Sequence, residues 1–304
     1  MQRRQIIAAG FGLATLAPAT GGSAATSSAP CPAPRSANEV RAKDATRLFH
    51  RDWGEGPVIV FAASWAMSSE MWAYQVAHFS DAGFRCIAYD RRGHGRSDVP
   101  ASGYDMDTFA DDLAAVIDTL DLHDVILVGH SAGGAEVVRY LGRHGTARVR
   151  KAVLIAPVTP YLLQTPDNPA GAPQAYFDAT LAQWAQDFPK WAYDNTAPFV
   201  TPGTSPGMVA WLRDQLIATP VTVATATMRA VIAKDLRADL ARIDRPVLVM
   251  HGTKDASAPI DLTGRPTAAG IRGAELKVYE GAPHGLFVTH MAQVNRDLEA
   301  FIRA

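Results

Sequence analysis

A glycine-flanked pentapeptide, Gly-His-Ser-Ala-Gly at residues 129–133, constrains the fold of this chain more than any other feature. The apolar, β-branched run at 125–128 before it predicts a buried strand, and the proline-free run at 132–141 after it predicts a helix. A strand that turns sharply into a helix presents Ser131 with its hydroxyl exposed, and the flanking glycines leave room for the turn. The motif therefore predicts a nucleophilic serine. The alternative is a small residue that fits a tight turn.

A serine hydroxyl is a weak nucleophile at neutral pH, so it needs a base to take its proton and an acid to orient that base. The apolar run at 246–250 predicts a strand that leads into Asp255, and the run at 276–279 predicts another that leads into His284. The carboxyl ends of parallel strands meet at one edge of a sheet, where open α/β sheets build their sites. We therefore expect Asp255 and His284 to act with Ser131 as a catalytic triad.

Each expected partner of the serine has a rival in the sequence. His290 is a second candidate base, although it falls within the expected C-terminal helix, and Asp261 is a second candidate acid shortly after Asp255. The alternative role for Asp255 is a turn residue or helix cap, and the alternative for His284 is an ordinary histidine in a surface loop. His130 and His251 lie at predicted strand ends and are interpreted as structural.

The composition is that of one globular enzyme domain, with 304 residues, 48% hydrophobic and 19% charged, and a formal net charge of −1. A chain of this length buries a large core, and its balanced charge argues against nucleic acid or an anionic membrane surface as a partner. Cys31 lies in a proline-rich stretch and Cys86 in a predicted buried strand, so no disulfide is expected between them. No cluster has the spacing of a zinc site, and no cofactor or metal is expected.

The N-terminal residues have the pattern of an export signal. Arg3 and Arg4 precede an apolar run at 6–17, and the small residues at 23–25 suit cleavage after Ala25. The paired arginines also suit the twin-arginine type of signal, and the run is too short for a stable membrane span. We expect a signal peptide at 1–25 and a periplasmic or secreted protein. The alternative is an untranslocated disordered tail.

Residues 26–42, rich in Ser, Pro and Ala, are expected to be a linker, and residues 43–304 the folded domain. Strands and helices alternate there, with strands expected at 57–63, 84–89, 125–128 and 149–156 and helices at 69–80 and 108–120. This alternation predicts an α/β fold with a mainly parallel, doubly wound sheet.

Between about 160 and 235 the alternation stops. Helical patches at 177–188 and 208–217 are separated by prolines, and the stretch carries Trp184, Trp191 and Trp211. We interpret it as a helical cap over the site, with the tryptophans in the core of the cap.

Several longer segments resemble one enzyme family. Residues 89–97, Tyr-Asp-Arg-Arg-Gly-His-Gly-Arg-Ser, resemble a turn found in many α/β-hydrolases. The segments 133–149, 259–265 and 274–285 are similar to those of the cofactor-free bacterial haloperoxidases, also known as perhydrolases and aryl esterases. The resemblance runs from about residue 43 to the C-terminus, and it implies the α/β-hydrolase fold with a helical cap insertion.

The resemblance also implies a mechanism that needs no metal or haem. Ser131 would attack an ester carbonyl and form an acyl-enzyme, with His284 as general base and then general acid and Asp255 orienting it. The backbone N–H groups of Ala132 and Trp65 would form the oxyanion hole. Peroxide in place of water would release a peracid, which oxidises halide in solution.

One segment departs from the family pattern. Ala63 and Ser64 stand where most members have His-Gly before the oxyanion tryptophan, and Ala66 stands where they have Pro or Leu. A missing glycine can change the backbone path, so a buried packing role is the alternative for Trp65. Alanine lacks the fixed φ of proline, and we expect perhydrolysis to be secondary to ester hydrolysis.

Two classes of function follow from these patterns. The first is an exported serine hydrolase that acts on a small-molecule ester or acyl substrate; lactone or C–C bond hydrolysis would use the same triad. The second is a ligand-binding protein on a hydrolase scaffold. The sequence leaves the acyl group, the alcohol and the association of copies of the chain open.

Overall fold

The computed structural model describes residues 38–304. The expected signal peptide at 1–25, Cys31 and most of the expected linker at 26–42 lie outside the described residues. The first strand of the sheet, Glu39–Arg41, pairs with the following strand. The folded domain therefore begins before residue 43.

A single sheet organises the described residues. Its strands are β1 (Glu39–Arg41), β2 (Arg47–Trp53), β3 (Val58–Ala62), β4 (Arg85–Tyr89), β5 (Val125–His130), β6 (Val149–Ile155), β7 (Val247–Gly252) and β8 (Glu275–Tyr279). Their spatial order is β1-β2-β4-β3-β5-β6-β7-β8. The pairs β1–β2 and β2–β4 are antiparallel and the other pairs are parallel. The predicted mainly parallel sheet is confirmed, with two antiparallel strands added at one edge.

Helices cover both faces of this sheet. They are α1 (Ala73–Asp81), α2 (Met106–Thr119), α3 (Ala132–His144), α4 (Gln174–Asn195), α5 (Pro206–Ala218), α6 (Val221–Ala233), α7 (Arg237–Leu240), α8 (Gly264–Gly270), α9 (Leu286–Thr289) and α10 (Met291–Arg303). Strand residues alternate between two apolar clusters: Val60 packs with α2 and α3, whereas Ile59 and Phe61 pack with α1 and α10. Strands β5 and β7 are buried at every position, which explains their continuous apolar sequences.

Three helices between β6 and β7 form the cap that the sequence predicts. The predicted helical patches at 177–188 and 208–217 lie within the longer α4 and α5, and α6 was not predicted. Helix α4 bends at Asp187, where φ is −157° and ψ is 83°. Pro189 lacks an N–H, and the Asp187 carboxylate accepts from Lys190 N at 2.9 Å, which caps the second half of the helix.

No helix within residues 38–304 is by itself long and apolar enough to cross a membrane. The bent pair α5 and α6, at 89°, meets that criterion by length and composition only.

Candidate active site

Ser131 occupies the sharp turn between β5 and α3. Its φ of 55° and ψ of −116° are values that a residue with a side chain rarely adopts, and its side chain does not cap the helix. The turn brings α3 against the end of β3, since a Cβ on Gly133 would meet the carbonyl oxygen of Ala62 at 2.3 Å. A Cβ on Gly129 would meet the carbonyl oxygen of Gly133 at 2.4 Å. The two motif glycines are therefore required by close backbone contacts.

His284 and Asp255 meet at the carboxyl edge of the sheet. The Nδ1 atom of His284 lies 2.7 Å from Oδ2 of Asp255, and both side chains are buried. With its proton on Nδ1, the ring donates to the carboxylate and keeps Nε2 free as a proton acceptor. Ser131 and His284 line the same cavity. The structure thus brings the predicted base and acid together, on the wall that also holds the predicted nucleophile.

The other oxygen of Asp255 is held by the backbone of its own loop. Oδ1 accepts from the N–H groups of Ser257 at 3.0 Å and Ala258 at 2.7 Å. Burial alone would raise the pKa of the Asp255 carboxyl, but His284 and His251 outweigh it and hold that pKa well below its ordinary value. The carboxylate is therefore ionised at neutral pH and fixed in orientation.

Two further histidines, interpreted from sequence as structural, are buried beside this pair. His251 Nε2 lies 2.8 Å from the carbonyl oxygen of Ala258 and 3.1 Å from Oδ2 of Asp255. His130 Nε2 lies 2.9 Å from the carbonyl oxygen of His284. Burial and the neighbouring His284 lower the pKa of His130 to about 3. Both rings hold the backbone or carboxylate of the expected triad in place.

The rival candidates lie elsewhere. Asp261 is exposed and pairs with Arg265 at 2.9 Å. His290 lies at the junction of α9 and α10, as the residue that precedes α10 rather than inside the helix. Its Nδ1 lies 3.0 Å from the hydroxyl of Thr289. Neither residue contacts the Asp255–His284 pair.

The segment after β3 is the expected second half of an oxyanion hole. Ala132 is the first residue of α3, whose N–H has no acceptor within the helix. The indole of Trp65 packs against Trp184 at 4.5 Å between ring centroids and donates to the carbonyl of Ala224 at 2.8 Å. Its side chain thus joins the cap, which is the packing role considered above. A role for its backbone N–H stays a prediction.

A buried ion pair, missed at the sequence level, supports this segment from below. The Arg91 guanidinium donates to the carbonyls of Ala63 at 2.8 Å and Ser64 at 3.3 Å. It also pairs at 2.6 Å with Glu136, which lies on the helix that follows the nucleophile. Tyr89 hydrogen-bonds the same carboxylate. The signal available in the sequence was a charge after a buried strand and another in the apolar first half of the following helix.

Comparisons with known proteins agree with this arrangement. The sequence profile of the α/β hydrolase fold matches residues 57–291. The chain belongs to the α/β hydrolase fold family. It is 40% identical over 271 residues to a non-heme chloroperoxidase of Kitasatospora aureofaciens, covering 86% of this chain and 97% of that protein. It is 38% identical over 277 residues to a bifunctional esterase/perhydrolase of Acinetobacter calcoaceticus, covering 87% and 99%.

Among solved structures, an esterase from Exiguobacterium antarcticum superposes with a TM-score of 0.85 at 29% identity, covering 88% of this chain and 99% of that one. The resemblance to haloperoxidases, perhydrolases and esterases inferred from the sequence is confirmed.

In this α/β hydrolase a cavity of about 290 Å³ separates the cap from the sheet edge. It holds Ser131, Ala132 and His284 on the sheet side, together with Trp65. The cap side is mostly apolar, and its lining includes Phe177, Leu181, Trp184, Trp191, Leu212, Leu216 and Met228. Its polar members are Tyr176, Thr180, Asn195, Thr196 and Arg213. Trp184 and Trp191 therefore both pack the cap and face the cavity, whereas Trp211 packs on Tyr74, outside it.

Proposed function

We propose that this α/β hydrolase cleaves carboxylic esters through an acyl-enzyme formed on Ser131. The observation that carries the proposal is the His284–Asp255 hydrogen bond at 2.7 Å, in the wall of the cavity that also contains Ser131. A binding protein would have no need of a buried, ionised carboxylate that fixes the tautomer of a histidine in the same cavity wall as a serine on a strained turn. The esterase and perhydrolase relatives support the same reaction class.

The proposed reaction follows from the roles of these atoms. His284 Nε2 takes the proton of the Ser131 hydroxyl as the oxygen attacks the ester carbonyl, and Asp255 stabilises the resulting imidazolium. The N–H groups of Ala132 and Trp65 would donate to the oxyanion. His284 then protonates the departing alcohol. Water attacks the acyl-enzyme with the same assistance and releases the acid, and peroxide in its place would release a peracid.

The test uses short-chain 4-nitrophenyl esters and the Ser131→Ala variant. We expect the wild type to hydrolyse them and the variant to lose activity by several orders of magnitude, because the triad acts as a unit. A fluorophosphonate probe should label the wild type at Ser131, as mapped by peptide mass spectrometry. The unfolding midpoint of the variant controls for folding. Unchanged turnover in a folded Ser131→Ala protein would remove this residue as nucleophile.

We also propose that the chain is exported and that its leader is removed. The support is the paired Arg3 and Arg4, the apolar run and the small residues before Thr26. Mass spectrometry of protein expressed in a bacterium with a twin-arginine pathway should find a mature chain that starts near Thr26 outside the cytoplasm. Replacing both arginines by lysine should retain the full-length chain inside the cell. A mature product that still begins at Met1 contradicts the proposal.

A further inference from the structure

Arg213 gives the cavity a charge that the proposed chemistry does not use. It lies on α5 in the cap, and among the described residues that line the cavity it is the one with a permanent charge. Most of the surrounding cap wall is apolar or aromatic. Arg213 is half-buried in this wall, so its charge is screened less than that of a fully exposed arginine and attracts an anion more strongly.

No acidic side chain within residues 38–304 pairs with Arg213. Its Nε atom is buried and has no hydrogen-bond partner there. Other buried or partly buried arginines have acidic partners. These pairs are Arg91 with Glu136, Arg92 with Asp112, and Arg139 with Asp107 and Asp239. A donor held out of water without an acceptor lowers stability, so such a group in a ligand cavity is explained by an acceptor that the ligand brings.

The surroundings of Arg213 also favour a particular ligand group. Its guanidinium lies over the ring of Tyr193 at 4.1 Å, which restricts the plane of the guanidinium. A planar guanidinium offers paired N–H groups along its edge, and this fork matches the two oxygens of a carboxylate. A second cavity residue, Trp184, is 2% exposed, and its indole N–H has no partner within the described chain. Among the residues that line the cavity, both of these unsatisfied cap groups are donors, so a ligand that pairs with them supplies acceptors.

We propose that the substrate of this enzyme is an ester that carries a carboxylate, and that Arg213 binds that carboxylate. The proposal rests on the proposed ester hydrolysis and names its substrate class. The carboxylate belongs either to the acyl chain or to the alcohol, and the two arms of the experiment distinguish them.

The first experiment measures a specificity ratio. In the acyl arm, kcat/KM for mono-4-nitrophenyl glutarate is divided by that for its methyl ester. In the alcohol arm, kcat/KM for 4-carboxyphenyl butyrate is divided by kcat/KM for the methyl ester of its carboxyl group. Each ratio is compared among the wild type, Arg213→Gln and Arg213→Lys. Arg229→Gln is the matched control, since Arg229 is exposed on the adjacent α6 and does not line the cavity.

We expect the wild type to prefer the acid in one arm. Arg213→Gln should lower that ratio about tenfold or more, as for loss of a hydrogen-bonded charge. Arg213→Lys should retain part of the preference, and Arg229→Gln all of it. The preference should weaken with added salt. Equal ratios in the wild type and Arg213→Gln in both arms would overturn the proposal while leaving ester hydrolysis intact.

The second experiment reads binding without turnover. Tryptophan fluorescence, to which Trp65, Trp184 and Trp191 in the cavity wall contribute, is measured during titration with 4-phenylbutyrate and with 4-phenylbutanamide. Arg213→Gln should weaken binding of the acid about tenfold and leave the amide unaffected. An equal loss for both ligands would assign Arg213 to packing on Tyr193 and overturn the proposal. Arg213-dependent binding of the acid in a protein that cleaves no ester would instead refute the proposed ester hydrolysis, and only the binding of a carboxylate by Arg213 would remain.

Discussion

Asp255 shows how a single side chain is fixed by its surroundings. One oxygen accepts from two backbone N–H groups of its own loop, at 3.0 and 2.7 Å, and the other faces His284 and His251. Because the loop N–H groups hold Oδ1, the two carboxylate oxygens cannot exchange places. The carboxylate therefore accepts the Nδ1–H of His284 in one orientation, which leaves Nε2 without a proton as the atom proposed to take the serine proton.

At the residue scale we predict the effect of Asp255→Asn. The amide oxygen would take the place of Oδ1, because the backbone donors require an acceptor, and the NH₂ group would then face His284. That group would force Nδ1 to accept and move the ring proton to Nε2. We expect kcat/KM for a 4-nitrophenyl ester to fall on the order of 10³- to 10⁴-fold with little change in KM.

Asp261, the exposed second candidate for the acid, provides the matched control. Asp261→Asn removes the same charge without touching the pair, and its kcat/KM should equal that of the wild type. A larger loss for Asp261→Asn than for Asp255→Asn would reverse the assignment of the acid.

At the element scale, the loop between β3 and α1 is held from both sides. Arg91 binds its carbonyls from below, and the Thr219 hydroxyl of the cap donates to the carbonyl of Ala66 at 3.1 Å. Ala66 is fully buried with a φ of 52°. Proline is locked near −65°, so a proline at position 66 could not follow this backbone path.

This loop is the basis of a prediction about peroxide. The choice between water and peroxide depends on how the site orients the small nucleophile beside the acyl carbonyl, and the residue after Trp65 shapes that spot. With Ala66 in this conformation we expect abundant water to win, so peracid formation is slower than ester hydrolysis. Bromide-dependent halogenation of a dye in acetate and hydrogen peroxide, run beside ester hydrolysis on one preparation, measures both.

Two outcomes of that assay would count against this interpretation. A peroxide route faster than hydrolysis would reverse the expected ranking. Halogenation that persists in Ser131→Ala would show that an acyl-enzyme is not its source.

At the scale of the whole molecule, several titratable groups of the described chain are buried near the carboxyl edge of the sheet. Burial, together with the nearby Arg91, lowers the pKa of His94 to about 3. The pKa of His130 is also lowered to about 3. Both rings therefore stay neutral in the folded protein until the pH falls to about 3. In the unfolded chain a histidine takes up its proton below about pH 6.5. Between those two limits the unfolded state binds more protons, so the free energy of unfolding falls as the pH is lowered.

We predict that His94→Asn reduces this pH dependence. Removing one such histidine should lower the slope of the unfolding free energy against pH by about 1.4 kcal/mol per pH unit between pH 6 and 4. Urea unfolding at a series of pH values measures both slopes. Parallel curves for the two proteins, offset by a constant, would mean that His94 is already protonated in the folded chain.

Features that depend on neighbours along the chain could be predicted from the sequence alone. The apolar runs of β5 and β7 indicated buried strands, the glycines around Ser131 indicated a tight turn, and the order of Ser131, Asp255 and His284 indicated a triad. These signals are local, because hydrophobic periodicity and turn chemistry act over a few residues. The parallel sheet then carries the three positions to one edge.

Which distant groups meet depends on how the strands and helices pack, and local sequence patterns do not predict it. The edge strands β1 and β2 were missed because β2 carries Arg, His and Asp, and its place is set by pairing with β4 rather than by its own pattern. The contact of Arg91 with Glu136 and with the loop after β3, and the absence of an acidic partner for Arg213 in the described chain, join or separate residues far apart in sequence. A charge looks the same in a sequence whether it is paired, exposed or held beside a ligand cavity, because its energy depends on the dielectric and the partners that packing provides.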